Sequence, residues 1–159
     1  MLRFVPFLFL FFASAWLLIA APPEAVPGTL PYDQNRAEGI AQAMIIQQAA
    51  LMAWARLPAN SGTSGIVQQS ALTFPAPWTA QQGLISFVGS TASGPVATTY
   101  YTGSILPGAV ASALFSLQGP SSDAGVTGTQ YLNSAAGAVI PLPAGVPVGN
   151  AAVADIVTE

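Results

Sequence analysis

The feature that most constrains this chain is an uncharged, strongly apolar run near its N-terminus, residues 4–21. As an α-helix these eighteen residues would be about 27 Å long at about 1.5 Å per residue, close to the thickness of a hydrocarbon core. Arg3 precedes the run, and positive charge is held on the cytoplasmic side of a membrane. The run therefore predicts membrane targeting, with everything after residue 21 lying across a bacterial-type inner membrane.

Two fates are open for residues 1–21. A cleaved signal peptide could use Ala13-Ser14-Ala15, which has the small-x-small pattern, but only about nine apolar residues would then precede the cleavage site. A cleavage site after Ala20 or Ala21 would be hampered by the prolines that follow it. A retained signal-anchor uses the whole run and is the interpretation we favour, with cleavage as the alternative.

A proline-rich linker is predicted after the targeting segment. Four prolines between positions 22 and 31 disfavour a helix and favour an extended chain. We therefore expect three parts: residues 1–21 as signal-anchor or signal peptide, residues 22–32 as linker, and residues 33–159 as one periplasmic α+β domain.

A long amphipathic helix is predicted at the start of this domain. Asn35 and Glu38 have the spacing of a capping box, Asp33 is an alternative cap, and Pro58 ends the helix. Apolar residues that repeat at helical spacing are Ile40, Ala41, Met44, Ile45, Leu51, Met52 and Ala55. Polar residues expected on the opposite face are Gln42, Gln47 and Gln48.

Short strands and one further helix are predicted beyond residue 65. Strand-like segments cover residues 72–74, 84–88 and 97–101, and residues 89–95 form a hairpin loop between the last two. Pro107 opens a second, shorter helix, which Gly119-Pro120 closes. Val110, Leu114 and Leu117 share one face of that helix.

The C-terminal part contains brief apolar pieces between glycines and prolines, near residues 130–132, 138–140 and 151–156. These pieces indicate short strands joined by tight turns. The predicted fold class is therefore α+β, with one long N-terminal amphipathic helix packed on a small, mainly antiparallel sheet.

The composition excludes several classes of function. Only 6% of the residues are charged, and the chain has no Lys, His or Cys. Three arginines cannot form the basic surface that phosphates require, so nucleic acid is excluded as a partner. The missing residue types also remove the commonest general base, the Schiff-base amine, thiolate nucleophiles and most metal ligands.

The remaining catalytic candidates are carboxylates and hydroxyls. Asp123, Asp155 and Glu159 are distant in sequence and are expected to be solvated charges in loops and at the terminus, although two of them meeting in a pocket would favour a carboxylate-based hydrolase. Ser64, in Gly62-Thr63-Ser64-Gly65, has no histidine to activate it. We therefore predict a non-enzymatic protein with no catalytic, cofactor-binding or metal-binding residues, no cofactor and no small-molecule substrate.

Two further patterns have ordinary structural interpretations. Gly145 and Gly149 have the spacing of a helix-packing motif, but the prolines around them indicate a turn. Trp54, Trp78 and Tyr100-Tyr101 could form an aromatic binding surface. We favour a role for them in filling a core that is otherwise built from Ala and Val.

The chain lacks the glycine-terminated leader of type IV prepilins, so prepilin processing is not expected. Several other pieces follow one another in a recognisable order: Ala41-Gln42-Ala43-Met44 through Trp54-Ala55-Arg56, Gly65-Ile66-Val67, Leu72-Thr73-Phe74-Pro75-Ala76-Pro77-Trp78, Tyr100-Tyr101-Thr102-Gly103 and Leu142-Pro143-Ala144-Gly145-Val146-Pro147-Val148-Gly149. In this order the pieces resemble the PilM family of conjugative-plasmid thin pili.

The resemblance implies an inner-membrane component of type IV pilus assembly without catalytic residues. Its partners would be pilin or other basal-body and assembly proteins, together with the inner membrane. The alternative function is a cleaved and secreted minor pilin-like or adhesin subunit.

Overall fold

A long helix, α1, opens the folded part of the chain. The structure is a computed structural model that describes residues 31–119, 123–134, 137 and 139–158. Helix α1 spans Pro31–Ala55. Proline suits the first position of a helix, because the amide that it lacks would have no helical partner there. The helix therefore begins four residues before Asn35, and the capping box predicted at Asn35 and Glu38 is wrong.

Within the described residues, seven strands form one antiparallel sheet in the order β1-β2-β3-β7-β4-β5-β6. Their bounds are β1 Gly65–Val67, β2 Leu84–Thr91, β3 Gly94–Tyr101, β4 Ala124–Thr127, β5 Tyr131–Ser134, β6 Val139–Pro141 and β7 Ala151–Ile156. A second helix, α2, spans Pro107–Gln118, as predicted, and short 3-10 helices occupy Pro58–Asn60 and Gln69–Ala71. The α+β class and the antiparallel sheet are confirmed.

The central hairpin is longer than the sequence pattern indicated. Strands β2 and β3 pair over eight residues each, from Leu84 opposite Tyr101 to Thr91 opposite Gly94. The predicted hairpin loop at residues 89–95 is therefore mostly strand, and only two residues make the turn. The strand predicted at residues 72–74 is wrong, because Leu72 follows the 3-10 helix and turns its side chain into the core.

Both helices pack on one face of the sheet. Met44 of α1 and Leu114 of α2 are fully buried in one cluster with Val153 of β7. A second cluster on the same face joins Leu51 to Val88 of β2. Many of the core positions between them are alanines, so the helices approach the sheet closely.

The second face of the sheet is covered by the chain's own segment 142–150. Leu142 and Val146 of this segment pack against Phe87, Tyr100 and Leu132, which come from three different strands. Gly89 allows this close approach, because a β-carbon there would lie 2.5 Å from the Pro143 β-carbon. The centre of the sheet is therefore buried on both sides.

None of the helices in the described part of the chain is long and apolar enough to cross a membrane. The run at residues 4–21, on which the prediction of a membrane segment depends, lies outside the described residues.

Two buried threonines should respond in opposite ways to replacement by valine. The Thr127 hydroxyl donates to the Pro147 carbonyl at 2.7 Å and accepts from the Asn150 amide at 2.9 Å, whereas the Thr99 hydroxyl has no hydrogen-bond partner. Thr127→Val should cost about 1–3 kcal/mol of unfolding free energy, and Thr99→Val should be neutral or stabilising by about 0.5–1 kcal/mol. Chemical denaturation of the full chain measures both, and a greater loss in Thr99→Val than in Thr127→Val would contradict the assignment.

Candidate functional site

Two adjacent glutamines lie on the inner face of α1. Gln47 and Gln48 are buried, while Gln42 is exposed. The prediction that all three mark the solvent face is therefore wrong for Gln47 and Gln48. Their spacing from Met44 and Leu51, which is three and four residues on either side, places them on the same buried row. That spacing is the signal in the sequence that could have placed them inside.

Gln47 joins α1 to the edge of the sheet. Its Nε2 donates to the Ser86 hydroxyl of β2 at 2.9 Å, and its Oε1 accepts from Gln69 Nε2 at 3.1 Å. Gln69 Nε2 also lies 3.2 Å from the carbonyl oxygens of Gln81 and Leu84. One amide group thus ties the helix, the 3-10 helix and the start of β2 together.

Gln48 joins α1 to the centre of the sheet. Its Nε2 donates to the Ala97 carbonyl of β3 at 3.0 Å and to Asp155 Oδ2 of β7 at 2.8 Å. Ala97 and Asp155 are paired across β3 and β7, so a single amide spans two neighbouring strands. Because an amide nitrogen has two hydrogens, both are used.

Asp155 forms a pair with Asp123. Burial raises the pKa of the Asp155 carboxyl, the hydrogen bond from Gln48 opposes that rise, and the charge and hydrogen bond of Asp123 add to it. Arg56 lowers the pKa of Asp155 by its positive charge. The expectation of a solvated loop charge is wrong for Asp155, which lies within β7 and is partly buried. Asp155 and Asp123 meet because β7 and the residue before β4 are neighbours in the sheet.

Within the described residues, neither Asp123 nor Asp155 lines the clefts found at the end of β1 and beside α1. One cleft, of about 270 Å³, lies where β1 ends, and the other, of about 570 Å³, lies between α1 and residues 80–82. Ser64 lies exposed in the loop before β1. Within the described residues no group of three or more acidic side chains is placed to hold a metal ion, and Glu159 lies outside them.

The aromatic residues are mostly part of the core, as favoured. Tyr100 and Tyr101 are buried on opposite faces of the sheet. Trp54 packs against the cluster of Leu51 and Val88. Trp78 stacks on Phe74 with ring centroids 4.0 Å apart, both rings being half-buried.

Gly145 and Gly149 lie in two separate turns of the segment that covers the second face, as the prolines there indicated. The predicted interpretation of this glycine spacing as a turn is confirmed.

Comparison with known proteins gives one family. The PilM family model matches residues 18–153. The matched residues include both helices and the whole sheet apart from the end of β7. The chain belongs to the PilM family. No curated protein and no solved structure gave a significant match. Membership in PilM associates the chain with pilus assembly, and it agrees with the resemblance drawn from the sequence.

Replacing Gln48 by methionine should destabilise this PilM domain. Methionine has about the length of glutamine but no N–H, so the buried Ala97 carbonyl and Asp155 lose the Gln48 amide as hydrogen-bond donor. This loss should lower the unfolding free energy by about 2 kcal/mol. Gln42→Met, on the exposed face of the same helix, should change the unfolding free energy by less than about 0.5 kcal/mol. Equal effects of the two substitutions, measured by chemical denaturation, would contradict the structural role of Gln48.

Asp155→Asn should flatten part of the pH dependence of stability. The folded-state pKa of Asp155 is raised above its ordinary value of 3.8, so its contribution to stability is fully present below that pH and is lost as pH rises through the folded pKa. The substituted asparagine would still accept from Gln48 and would not repel Asp123. The variant should therefore be more stable than the native chain at pH 7, by on the order of 0.5 kcal/mol because solvent screens this half-buried site.

The matched control is Glu38→Gln, which removes one exposed carboxylate from α1. Unfolding free energies measured from below pH 3.8 to pH 7 should show the flattening in Asp155→Asn alone. If the unfolding free energy changes with pH by the same amount in the native chain and in Asp155→Asn, the raised pKa of Asp155 is contradicted.

Proposed function

We propose that this PilM protein is a non-enzymatic structural component of a conjugative type IV pilus machinery, held at the inner membrane with its α+β domain in the periplasm. It would dock pilin or other assembly proteins there. The observation that carries the proposal is the PilM match over residues 18–153.

The sequence before the domain supports a tether. The apolar run ends at residue 21 and α1 begins at Pro31, so nine residues separate the two. At about 3.3 Å per extended residue these nine could span about 30 Å at most. If the run is a retained anchor, the domain stays close to the membrane surface, where pilus components assemble.

The roles of the polar groups support a function without catalysis. Asp155 of the carboxylate pair accepts a hydrogen bond from Gln48, which connects the main helix to two strands, so this carboxylate already has a structural role. The chain also contains no Lys, His or Cys that could act as base or nucleophile.

The domain surface supports recognition through uncharged contacts. The described part of the chain contains only six Asp, Glu and Arg residues, and three of these lie in the first turns of α1. Large apolar side chains are exposed at several separate places: Leu57, Ile66, Leu106, Leu117, Tyr131, Val148 and Ile156. Binding on such a surface depends on shape, apolar contact and backbone hydrogen bonds.

Deletion of the gene from a pilus-producing strain, with complementation, tests the assembly role. We expect loss of pili and of conjugation through pili, with both restored by the native chain.

Membrane fractionation and mass spectrometry of the N-terminus test the tether. An intact start in the membrane fraction is expected, whereas a soluble product that starts at Trp16 or later would support the secreted-subunit alternative.

The variant Asp155→Asn tests the absence of catalysis. Because the asparagine keeps the bond to Gln48, a structural protein should support pilus assembly at the native level, as should Glu38→Gln. Loss of assembly in Asp155→Asn, in a variant that is folded and present in normal amount, would favour an enzyme that uses the carboxylate pair.

A further inference from the structure

A cleft of about 270 Å³ lies beside the end of β1 and is called here the β1-end cleft. No role has been assigned to it above. Strand β1 covers only three positions of β2, with Val67 opposite Ser86 as its last pair. Strand β2 starts two residues earlier, at Leu84. Leu84 and Ile85 therefore border a strand position on this side that β1 does not fill.

The backbone of Leu84 is directed toward that unfilled position. The Gly83 carbonyl accepts from the Thr102 amide on the β3 side, and backbone groups alternate in direction along a strand. The Leu84 carbonyl accordingly points to the β1 side, where it accepts from the side chain of Gln69 instead of from a strand. A side-chain amide thus stands where a strand amide would donate.

The side chain of Gln69 cannot fully satisfy the groups around it. Its Nε2 has two hydrogens but lies 3.1–3.2 Å from three acceptors, which are Gln47 Oε1 and the carbonyls of Gln81 and Leu84. At least one acceptor is therefore left with a shared hydrogen. A carbonyl oxygen has two lone pairs, so the Leu84 carbonyl can accept from an added N–H donor as well as from Gln69.

The lining of the cleft specifies the character of its occupant. None of the residues that line it is ionisable, and its rim carries the amides of Gln68, Gln81 and Gln82. A charged segment would lose its hydration here and gain no opposite charge. Ile66, which is 60% exposed, and the half-buried Ile85 supply the apolar part. The cleft fits a neutral backbone with an apolar side chain.

We propose that the β1-end cleft binds a neutral, extended segment of a partner polypeptide, which continues the position of β1 and donates a backbone N–H to the Leu84 carbonyl. This is strand addition over a short stretch of the sheet edge. Backbone hydrogen bonds would give affinity, and Ile66 and Ile85 would select an apolar side chain of the bound segment. The inference rests on the proposed function, since it names the surface through which this PilM domain docks an assembly partner.

Binding of blocked peptides to the full-length protein in detergent tests the cleft directly. The probes are an acetylated, amidated hexapeptide of alternating threonine and valine, and the same peptide with alternate backbone nitrogens methylated. The first should bind with a Kd of about 1 mM or tighter, and methylation should weaken it about fivefold or more, as expected for loss of a backbone hydrogen bond. No binding of the first peptide, or equal binding of both, would overturn the proposal.

Matched substitutions locate the binding. Gln68→Glu places a charge in the cleft and Ile66→Asp removes its apolar side, so each should weaken the peptide about fivefold or more. Gln42→Glu on α1 and Val148→Asp, at an equally exposed position, should leave binding unchanged. All four positions are exposed, so the fold should be kept, as circular dichroism would verify. Binding that is insensitive to both cleft variants would refute the assignment.

Co-purification from pilus-producing cells separates this inference from the proposed function. Pilus components should accompany the native chain and Gln42→Glu, and they should be lost with Gln68→Glu. If Gln68→Glu retains them, the cleft proposal fails and the assembly role stands. If no pilus component accompanies the native chain, the assembly role fails, and the cleft proposal is then decided by the peptide-binding data.

A disulfide formed between two copies of Gln68→Cys, in a chain that otherwise has no cysteine, would show that a second copy occupies the cleft and would overturn the partner assignment.

Discussion

The arrangement of this domain depends on two buried amides that bond its main helix to the sheet. The apolar contacts between α1 and the strands involve many alanines, which are small and tolerate sliding. Hydrogen bonds are directional, so Gln47 on Ser86 and Gln48 on Ala97 and Asp155 define where along the sheet the helix lies. A displaced helix would leave these buried groups unpaired, which is costly in a region of low dielectric constant.

The same amides connect the interior with the surface. Gln47 holds Gln69, and the side chain of Gln69 donates to the Leu84 carbonyl beside the strand position that β1 leaves empty. A partner that bound in the β1-end cleft would therefore touch a network that reaches the centre of α1. On the other side of the sheet, segment 142–150 already covers the strands. At the edge beside β1, backbone groups and exposed apolar atoms occur together.

Much of the secondary structure could be predicted because it depends on local pattern. The central strands were visible from runs such as Leu84-Ile85-Ser86-Phe87-Val88, and α2 from its proline and glycine boundaries. Strands β1 and β4 could not be seen, because three or four residues that include a glycine carry no clear alternation. The strand predicted at residues 72–74 was wrong, since an apolar pair within a loop has the same local pattern as a short strand.

By itself the sequence determined the α+β class, the scarcity of charge and the family, since these follow from composition, period and motif order. Only the tertiary structure decided which polar side chains bond to one another. Residues that are far apart in the chain met through the sheet order, which puts β7 between β3 and β4 and so brings Asp155 to both Gln48 and Asp123. Long-range pairing of this kind has no signal in a single sequence, because it arises from packing between elements and not from the pattern within one.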